Sequence, residues 1–280
     1  MKTLGYYNGK FAPLEEMNVP MLDRGCYFGD GVYDATYSRN HKIFALREHI
    51  DRFYRSAEML DIKIKETKDE TAALLCDMVS KVDDGDQFVY WQATRGTALR
   101  NHVYPEDMQA NIWIMLKPGK IQNNFEKVSL ITAEDTRFYH CNIKTLNLIP
   151  SVMAATRTAR SGCHEAVLHR GERVTECSHS NVHILKNGVF RTAPADCLIL
   201  PGIARAHLIN ICREKGIPVD ETPFTVSEMM DADEVIVSSS SCLCRGAYAV
   251  DGVNVGGRAP EILDMLCRET LREFNEETDI

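Results

Sequence analysis

The sequence predicts an α+β fold made of two domains, and three observations support this prediction. The chain has 280 residues, which at roughly 150 residues per domain is enough for about two domains. Patterns typical of strands and of helices occur in both halves of the chain. Between the halves, Lys117-Pro118-Gly119-Lys120 interrupts both kinds of structure, because proline and glycine disfavour their interiors. We therefore predict a small N-terminal domain over 1–118, a linker over 119–122 and a larger C-terminal domain over 123–280.

The N-terminal domain is predicted to begin with short strands and turns up to residue 45, including a glycine-marked loop over 25–31. Apolar residues at helical spacing then predict two helices, and aromatic and β-branched residues predict two strands. The helices are expected over Glu48–Leu60 and Asp69–Val82, and the strands over Phe88–Thr94 and Ala110–Leu116.

The same patterns in the C-terminal domain predict a mixture of strands and helices. The strands are expected over Val128–Ala133, Glu165–His169, Asn181–Lys186 and Asp233–Val237, and the helices over Pro150–Ser161, Ile203–Lys215 and Pro260–Asn275. Because both element types occur throughout, two α+β lobes are expected.

Composition excludes several classes of protein. With 26% charged and 44% apolar residues, the chain is neither disordered, collagen-like nor a coiled coil as a whole. The 32 basic and 40 acidic residues give a net charge of −8, which argues against nucleic acid as the main partner. The N-terminal sequence lacks the apolar core of a signal peptide, and no run approaches ~20 apolar residues. We therefore expect a cytoplasmic protein that does not bind a membrane, with its ten cysteines reduced.

Two segments have the features of anion sites. Ile199–Ala204 leads a strand through Pro201-Gly202 into a helix, whose N-terminal N–H groups favour a phosphate. The strand over 233–237 is followed by Ser238–Ser241, which offers hydroxyl and amide donors. Helix N-termini and solvated serine loops are common, so neither segment is decisive alone.

Lys144 is the most unusual single residue, because it lies in the largely uncharged stretch Cys141–Ile149. Burial lowers the pKa of a lysine, as a Schiff-base lysine requires. On this stretch alone, a lysine that reaches the surface or pairs with a carboxylate is the better explanation. Arg100-Asn101-His102 has the donors to hold a carboxylate, but taken alone it is better explained as a solvated loop. Glu176 is either a surface carboxylate or a buried anion facing a protonated ring nitrogen.

Several other motifs are absent. The glycines over 25–31 have the wrong spacing for a dinucleotide fingerprint, and there is no P-loop. Neither C-x-x-C nor H-E-x-x-H occurs, so no metal site is predicted. The G-x-S-x-G elbow of many serine hydrolases is also missing.

Taken together, these features resemble the fold-type IV pyridoxal-phosphate enzymes, which include D-amino acid and branched-chain aminotransferases and aminodeoxychorismate lyases. The similarity is greatest to the bacterial D-amino acid aminotransferases. The matching segments occur in order along nearly the whole chain: Asp23–Tyr33, Glu48–Arg52, Thr94–Thr97 with Arg100–His102, Asn142–Asn147, Val174–Glu176, Ser180–Val182 and Leu200–Ile203.

The resemblance implies a small N-terminal domain, a larger C-terminal domain with a mixed, barrel-like sheet and flanking helices, and pyridoxal 5′-phosphate as cofactor. It also implies a role for individual residues. Lys144 matches the lysine that binds the cofactor covalently, and Glu176 matches the carboxylate that keeps its ring nitrogen protonated. The cofactor phosphate is assigned to Arg52, Ile203, Ala204, Ser239 and Ser240.

The substrate α-carboxylate is assigned by the resemblance to Tyr33, Arg100 and His102. In the D-amino acid enzymes the last two reach in from the partner subunit, so a homodimer is implied. The expected reaction is D-alanine plus 2-oxoglutarate giving pyruvate plus D-glutamate, with Lys144 moving the Cα proton as base and then acid. A branched-chain L-aminotransferase, an aminodeoxychorismate lyase and a catalytically silent cofactor-binding protein are the alternatives.

The chain departs from the family pattern at two positions. Where the family often has Gly-Ser-Ser-Ser after the glutamate, this chain has Cys177-Ser178-His179-Ser180. We expect His179 to alter the hydrogen bonding of the cofactor ring or to narrow the pocket. Ala204 stands where relatives often have threonine, so it offers only its backbone N–H.

Overall fold

The computed structural model describes residues 1–279, which form two compact units. The first unit contains Met1–Lys120, the segment Ile143–Asn147 and the C-terminal residues from Phe274. The second contains Ile121–Asn142 and Leu148–Glu273. The domain boundaries predicted from the sequence stay a prediction. They include Ile143–Asn147 in the C-terminal domain, whereas this segment belongs to the first unit.

The first unit is built on an antiparallel six-stranded sheet in the order β2-β1-β6-β5-β3-β4. Its strands are β1 Leu4–Tyr7, β2 Lys10–Ala12, β3 Gly31–Arg39, β4 Lys42–Ile43, β5 Gln87–Thr94 and β6 Asn111–Pro118, and its helices are α1 Arg24–Phe28, α2 Leu46–Met59 and α3 Lys68–Ser80.

Strand β3 shows how this unit positions its functional side chains. Val32, Asp34, Thr36 and Ser38 are buried, whereas the odd-numbered residues between them are partly exposed. Successive strand residues point to opposite faces of the sheet. The side chains of Tyr33 and Asp34 therefore lie on opposite faces. Helix α2 supplies buried residues to the same core, among them Phe53, Arg52 and Ser56.

The predicted loop over 25–31 is wrong at its start, because residues 24–28 form α1. Asp23 caps this helix by accepting the Gly25 N–H at 2.8 Å, and Gly29 ends it at φ +59°. Gly31 then begins β3 in a crowded position. A Cβ there would lie 2.6 Å from the Ala93 carbonyl oxygen and 2.7 Å from Leu146. The N-cap and the C-terminal glycine of this helix are only six residues apart, so the helix is too short to show a periodic pattern in the sequence.

The second unit is built on a mixed nine-stranded sheet in the order β12-β11-β10-β13-β14-β7-β8-β9, with β15 paired to β14. Its strands are β7 Val128–Glu134, β8 Glu165–Arg170, β9 Arg173–Cys177, β10 Asn181–Lys186, β11 Val189–Thr192, β12 Val219–Asp220, β13 Glu234–Ser238, β14 Arg245–Val250 and β15 Val253–Asn254. Its helices are α4 Ile149–Arg160, α5 Ile203–Glu214, α6 Val226–Met230 and α7 Pro260–Thr278, of which the residues from Phe274 belong to the first unit. The pairs β11/β12, β14/β7 and β7/β8 are parallel.

The predicted α+β class with a mixed C-terminal sheet is confirmed. Each helix and each longer strand predicted from periodicity is present, with ends within three residues of those expected. Strand β6 continues through Pro118 and so ends where the predicted linker over 119–122 begins. No helix within residues 1–279 is long and apolar enough to cross a membrane.

Candidate active site

Lys144 lies in a short segment that hydrogen-bonds to the first residues of β3. The Tyr33 N–H donates to the Lys144 carbonyl at 2.9 Å, and the Leu146 N–H donates to the Gly31 carbonyl at 3.1 Å. The N–H of Lys144 itself donates to the hydroxyl of Ser56, on α2, at 3.2 Å. These bonds fix the backbone from which the lysine side chain extends.

The side chain of Lys144 is half-buried against an aromatic face. Its Nζ lies 4.4 Å from the centroid of the Tyr33 ring, which stacks on Tyr90 at 5.4 Å. Among residues 1–279, no carboxylate lies within ion-pair distance of this amine. A carboxylate partner would stabilise the ammonium form and make the amine a poorer nucleophile and base. The surroundings of Lys144 therefore suit a reactive amine.

Arg52 is buried in the same unit and is paired with Asp34. Its Nε and Nη2 donate to the two carboxylate oxygens at 2.9 and 2.7 Å, and His49 Nδ1 lies 2.7 Å from Oδ1. Burial alone would raise the pKa of Asp34, but Arg52 and His49 hold it well below its usual range. Burial, together with the charges of Arg52 and Lys144, lowers the pKa of His49, although Asp34 opposes the decrease. No pattern in the sequence distinguishes the Asp34 carboxylate.

Arg100 and His102 lie in an exposed loop of the first unit. The Arg100 guanidinium carbon is 5.1 Å from the centroid of the Phe28 ring, and the centroid of the His102 ring is 5.2 Å from the same point. Within residues 1–279, no hydrogen bond, ion pair or ring contact joins either residue to Tyr33 or Lys144. One chain therefore brings Lys144 and Tyr33 together but leaves the other two predicted substrate residues apart from them.

Glu176 is on β9 in the second unit, where it is buried and accepts several hydrogen bonds. Arg137 Nη1 donates to Oε1, and Oε2 accepts from Asn181 Nδ2 at 2.9 Å and from the Leu200 N–H at 3.0 Å. Asp135 accepts two further bonds from the Arg137 guanidinium, both at 2.9 Å. Burial would lower the pKa of Arg137, but Asp135 and Glu176 raise it above its ordinary value. Glu176 is thus a carboxylate fixed by charged and neutral donors.

The start of α5 contains part of the predicted phosphate site. Gly202 precedes the helix and gives it no side-chain cap, and Ala204 is buried in its first turn. In the described chain, the backbone N–H groups of Ile203 and Ala204 have no protein acceptor, as expected at a helix N-terminus. Such groups, with the helix dipole, favour an anion.

Asn181 connects this helix start to Glu176 and to the end of β13. A Cβ on Gly202 would lie 2.1 Å from Asn181 Oδ1, and Asn181 is paired in register with Ser238. The serine turn, Ser239–Ser241, follows directly: the Ser239 hydroxyl contacts that of Ser241 at 2.9 Å. The structure therefore brings Glu176, the α5 N-terminus and the turn that contains Ser239 and Ser240 around one asparagine.

His183 supports the two anion-binding segments from within the second unit. Its Nε2 lies 2.8 Å from the Ser238 hydroxyl and its Nδ1 lies 2.8 Å from the Thr192 hydroxyl. Thr192 in turn accepts a bond from Arg205 Nε, on α5, at 3.2 Å. Burial and the charge of Arg205 lower the pKa of His183 to about 3. A neutral imidazole thus joins the strand before the serine turn to the helix of the phosphate site.

Arg137, Asp34, Asn181 and His183 are the functional candidates to which the sequence analysis gave no role. Asn181 lies in Ser180–Val182, one of the segments that match the family. No local pattern distinguishes the other three. Among residues 1–279, no group of three or more His, Cys, Asp or Glu side chains is arranged so that it could hold a metal ion.

The chain is similar to known proteins in both sequence and fold. The family model of the amino-transferases class IV matches residues 31–250. D-alanine aminotransferase of Listeria monocytogenes is 40% identical over 260 residues, which cover 90% of each chain. The branched-chain aminotransferase of Thermoproteus uzoniensis, solved with norvaline, has a TM-score of 0.90 at 24% identity and covers 99% of this chain and 96% of its own.

A second solved structure has the same fold. It is a T.th. branched-chain amino acid aminotransferase with pyridoxamine 5′-phosphate, which has a TM-score of 0.89 at 23% identity and covers 98% of this chain and 94% of its own. At this identity, the similarity establishes the fold. The family match and the Listeria relative extend along most of the sequence, so the family resemblance found in the sequence is confirmed: the chain is an enzyme that belongs to the class IV aminotransferases.

Proposed function

We propose that this enzyme transfers the amino group of D-alanine to 2-oxoglutarate, giving pyruvate and D-glutamate, with pyridoxal 5′-phosphate as cofactor. The observation that carries the proposal is the amine of Lys144, half-buried against Tyr33 and without a carboxylate partner in the described chain. The D-alanine aminotransferase relatives support the choice of donor. The proposal includes the cytoplasmic location that the sequence predicts.

The residues present fit the cofactor. Lys144 supplies an amine for a covalent bond, and Glu176 supplies a carboxylate for a protonated ring nitrogen. The N–H groups of Ile203 and Ala204, with Ser239 and Ser240, supply donors for a phosphate, and the guanidinium of Arg52 adds a positive charge. Bound there, the cofactor would supply an electron-withdrawing ring that acidifies the substrate Cα proton.

The protein groups then have separate tasks. The Nζ of Lys144 would take the substrate Cα proton as a general base and would later give it up as a general acid. The face of Cα that meets this amine decides which enantiomer reacts, so a fixed lysine backbone is needed for selectivity. The bonds from Lys144 to Tyr33 and Ser56 meet this need.

The substrate carboxylate is assigned to Tyr33 together with Arg100 and His102 of the partner subunit. Two exposed apolar side chains flank this pair: Leu99 is 78% exposed and Val103 is 76% exposed. A loop of this composition favours burial against another protein surface. The proposal therefore includes a homodimer in which each active site is completed by the other chain.

The experiment that tests the proposal measures transamination by the purified enzyme with D-alanine and with L-leucine, using 2-oxoglutarate as acceptor. We expect D-alanine to react and L-leucine to react at least about a hundredfold more slowly in kcat/KM, since the amine reaches one face of Cα. Turnover of L-leucine without D-alanine would replace the proposal by a branched-chain L-aminotransferase. Release of pyruvate from aminodeoxychorismate would indicate a lyase, and no turnover at all a silent cofactor-binding protein.

A further inference from the structure

We infer that Arg24 is a positioning residue for substrate binding, because its buried guanidinium holds the backbone of the loop that carries Arg100 and His102. This loop, Ala98–Val103, is called the Arg100 loop below. The inference rests on the proposed function, in which Arg100 and His102 bind the substrate carboxylate, and it adds the residue that fixes their loop. All of the groups involved belong to the first unit.

The first observation is that Arg24 donates to the backbone of the Arg100 loop. Its Nη1 donates to the Asn101 carbonyl at 2.6 Å, and its Nη2 donates to the His102 carbonyl at 3.4 Å. Within residues 1–279, no backbone N–H donates to either carbonyl. Because a charged donor forms stronger hydrogen bonds than a neutral one, the short bond to Asn101 is a strong restraint on the backbone next to Arg100.

The second observation is that the Arg24 guanidinium is itself fixed. Its side chain is 4% exposed, and its Nε donates to Asp30 at 2.7 Å. The same carboxylate accepts a bond from Arg95 Nε at 3.0 Å, and Arg95 donates to the carbonyls of Leu60 and Asp61 at 2.8 and 3.1 Å. A planar guanidinium offers donors on more than one edge. Arg24 therefore binds Asp30 with one edge and the loop with the other.

The third observation is that helix α1 also contacts the two functional side chains of the loop. The guanidinium carbon of Arg100 and the ring centroid of His102 lie 5.1 and 5.2 Å from the centroid of the Phe28 ring. The guanidinium carbon of Arg24 lies 4.8 Å from the same centroid. Cations are attracted to the face of an aromatic ring at such distances. One short helix thus holds the loop backbone through Arg24 and its side chains through Phe28.

The fourth observation is that α1 is anchored to the sheet of the first unit. The buried carboxylate of Asp23, which caps the helix, accepts bonds from the Thr94 hydroxyl on β5 and from Asn111 Nδ2 on β6, both at 2.9 Å. The backbone N–H of Arg24 donates to the Gly96 carbonyl at 2.9 Å. The sheet therefore fixes the helix, and the helix fixes an otherwise exposed loop.

This arrangement predicts which kinetic constant depends on Arg24. A loop that spends less time in its binding conformation lowers the apparent affinity for substrate in proportion to the population lost. Substrate that has bound still reacts at the same rate, so kcat is unaffected. Loss of the Arg24 guanidinium should therefore raise KM for the amino donor and for the acceptor alike, since both carry the carboxylate that Arg100 and His102 bind.

The first test measures steady-state kinetics with D-alanine and 2-oxoglutarate. In Arg24→Gln, we expect KM for both substrates to rise about tenfold, the loss of one charged hydrogen bond, with kcat within about twofold of the wild type. Arg24→Lys keeps the positive charge beside Asp30, so it guards against misfolding of the glutamine variant. It lacks the planar fork, and its KM should rise about threefold. The matched control is Arg95→Gln, which removes the other guanidinium from Asp30 but no bond to the Arg100 loop, so KM should stay within about twofold.

A mutant cycle separates positioning from a merely structural role. In a chain that carries Arg100→Ala and His102→Ala, the loop has no substrate group left to position. Adding Arg24→Gln or Arg24→Lys to this chain should therefore lower kcat/KM by less than about twofold. A further loss as large as that in the wild-type background, or an unchanged KM in both Arg24 variants, overturns the inference.

Amide hydrogen exchange distinguishes failure of this inference from failure of the proposed function. In both Arg24 variants, the amides of residues 99–103 should exchange faster than in the wild type, while those of β5 keep their rates. If the Arg100→Ala, His102→Ala chain retains the wild-type kcat/KM, the proposed carboxylate assignment is wrong, and the role of Arg24 in binding fails with it. If that chain is impaired but exchange and KM are unchanged in the Arg24 variants, only the role of Arg24 is overturned.

Discussion

The two units treat their central ionisable groups in opposite ways. In the first, Lys144 is fixed through its backbone, while its amine lies over an aromatic ring and has no ion-pair partner among residues 1–279. In the second, the Glu176 carboxylate itself is fixed by Arg137, Asn181 and the Leu200 N–H. A group that must form bonds and move protons needs a mobile, unpaired end, whereas a group that must only hold a charge is best immobilised.

The largest expected effect comes from removing the mobile group. In Lys144→Ala, transamination with D-alanine and 2-oxoglutarate should fall by about 10⁴-fold or more in kcat, because both nucleophile and base are lost. The backbone bonds of residue 144 do not need the side chain, so the thermal midpoint should change little. Lys144→Arg retains the positive charge without a nucleophilic amine and should be equally inactive. Activity near that of the wild type in either variant would contradict the proposed mechanism.

The same variant tests the dimer. Lys144→Ala and Arg100→Ala chains should restore each other when co-expressed, because a mixed dimer contains one site with both residues intact. Random pairing would recover about a quarter of the wild-type activity. No recovery would show that Arg100 acts within its own chain, whereas full activity of Arg100→Ala alone would show that it has no role.

Removing the immobilised charge should have a smaller effect. In Glu176→Gln, we expect kcat to fall about 10²-fold, since the cofactor ring nitrogen loses its anionic partner. The free energy of unfolding should also fall by about 2 kcal/mol, because the buried Arg137 loses one charged hydrogen-bond partner and keeps Asp135. Kinetic assays and urea unfolding measure the two effects. Glu172→Gln, on the exposed turn before β9, should change neither, and a similar loss in that variant would remove the special role of Glu176.

The smallest effect is expected at His183, which supports the phosphate site without contacting it. The pKa of His183 is about 3 in the folded chain, against about 6.5 when unfolded. The unfolded chain therefore binds an extra proton between these values, and stability falls as pH falls. From about pH 6.5 to 5, the loss should be about 2 kcal/mol. His183→Gln should show a correspondingly flatter decrease over this range in urea unfolding. An identical pH dependence in the two proteins would show that His183 is not the group responsible.

The parts of the fold that could be predicted from the sequence are those with a regular period. Helices such as α2 and α5, and strands such as β5 and β10, carry apolar patterns long enough to be recognised. Helix α1 and the short strands β12 and β15 are too short to show one. The segment containing Lys144 is identifiable as unusual, but its pairing with β3 depends on residues over a hundred positions away.

The candidate site shows the same limit. Lys144 and Glu176 match family motifs, so the sequence assigns them a role. Arg137 and Asp34 are defined by the charge they contact, and that contact exists only after folding. His183 carries no signal at all, because a buried neutral histidine and an exposed one look alike in a sequence. Local pattern thus identifies the reactive residues, and the tertiary structure identifies those that hold them in place.

The contact between Gly202 and Asn181 has a consequence for changing the substrate range of this enzyme. A single methyl group at position 202 would displace the asparagine that also holds Glu176, so one substitution would disturb the phosphate site and the ring carboxylate together. Libraries intended to alter the substrate range should therefore keep positions 181 and 202 constant.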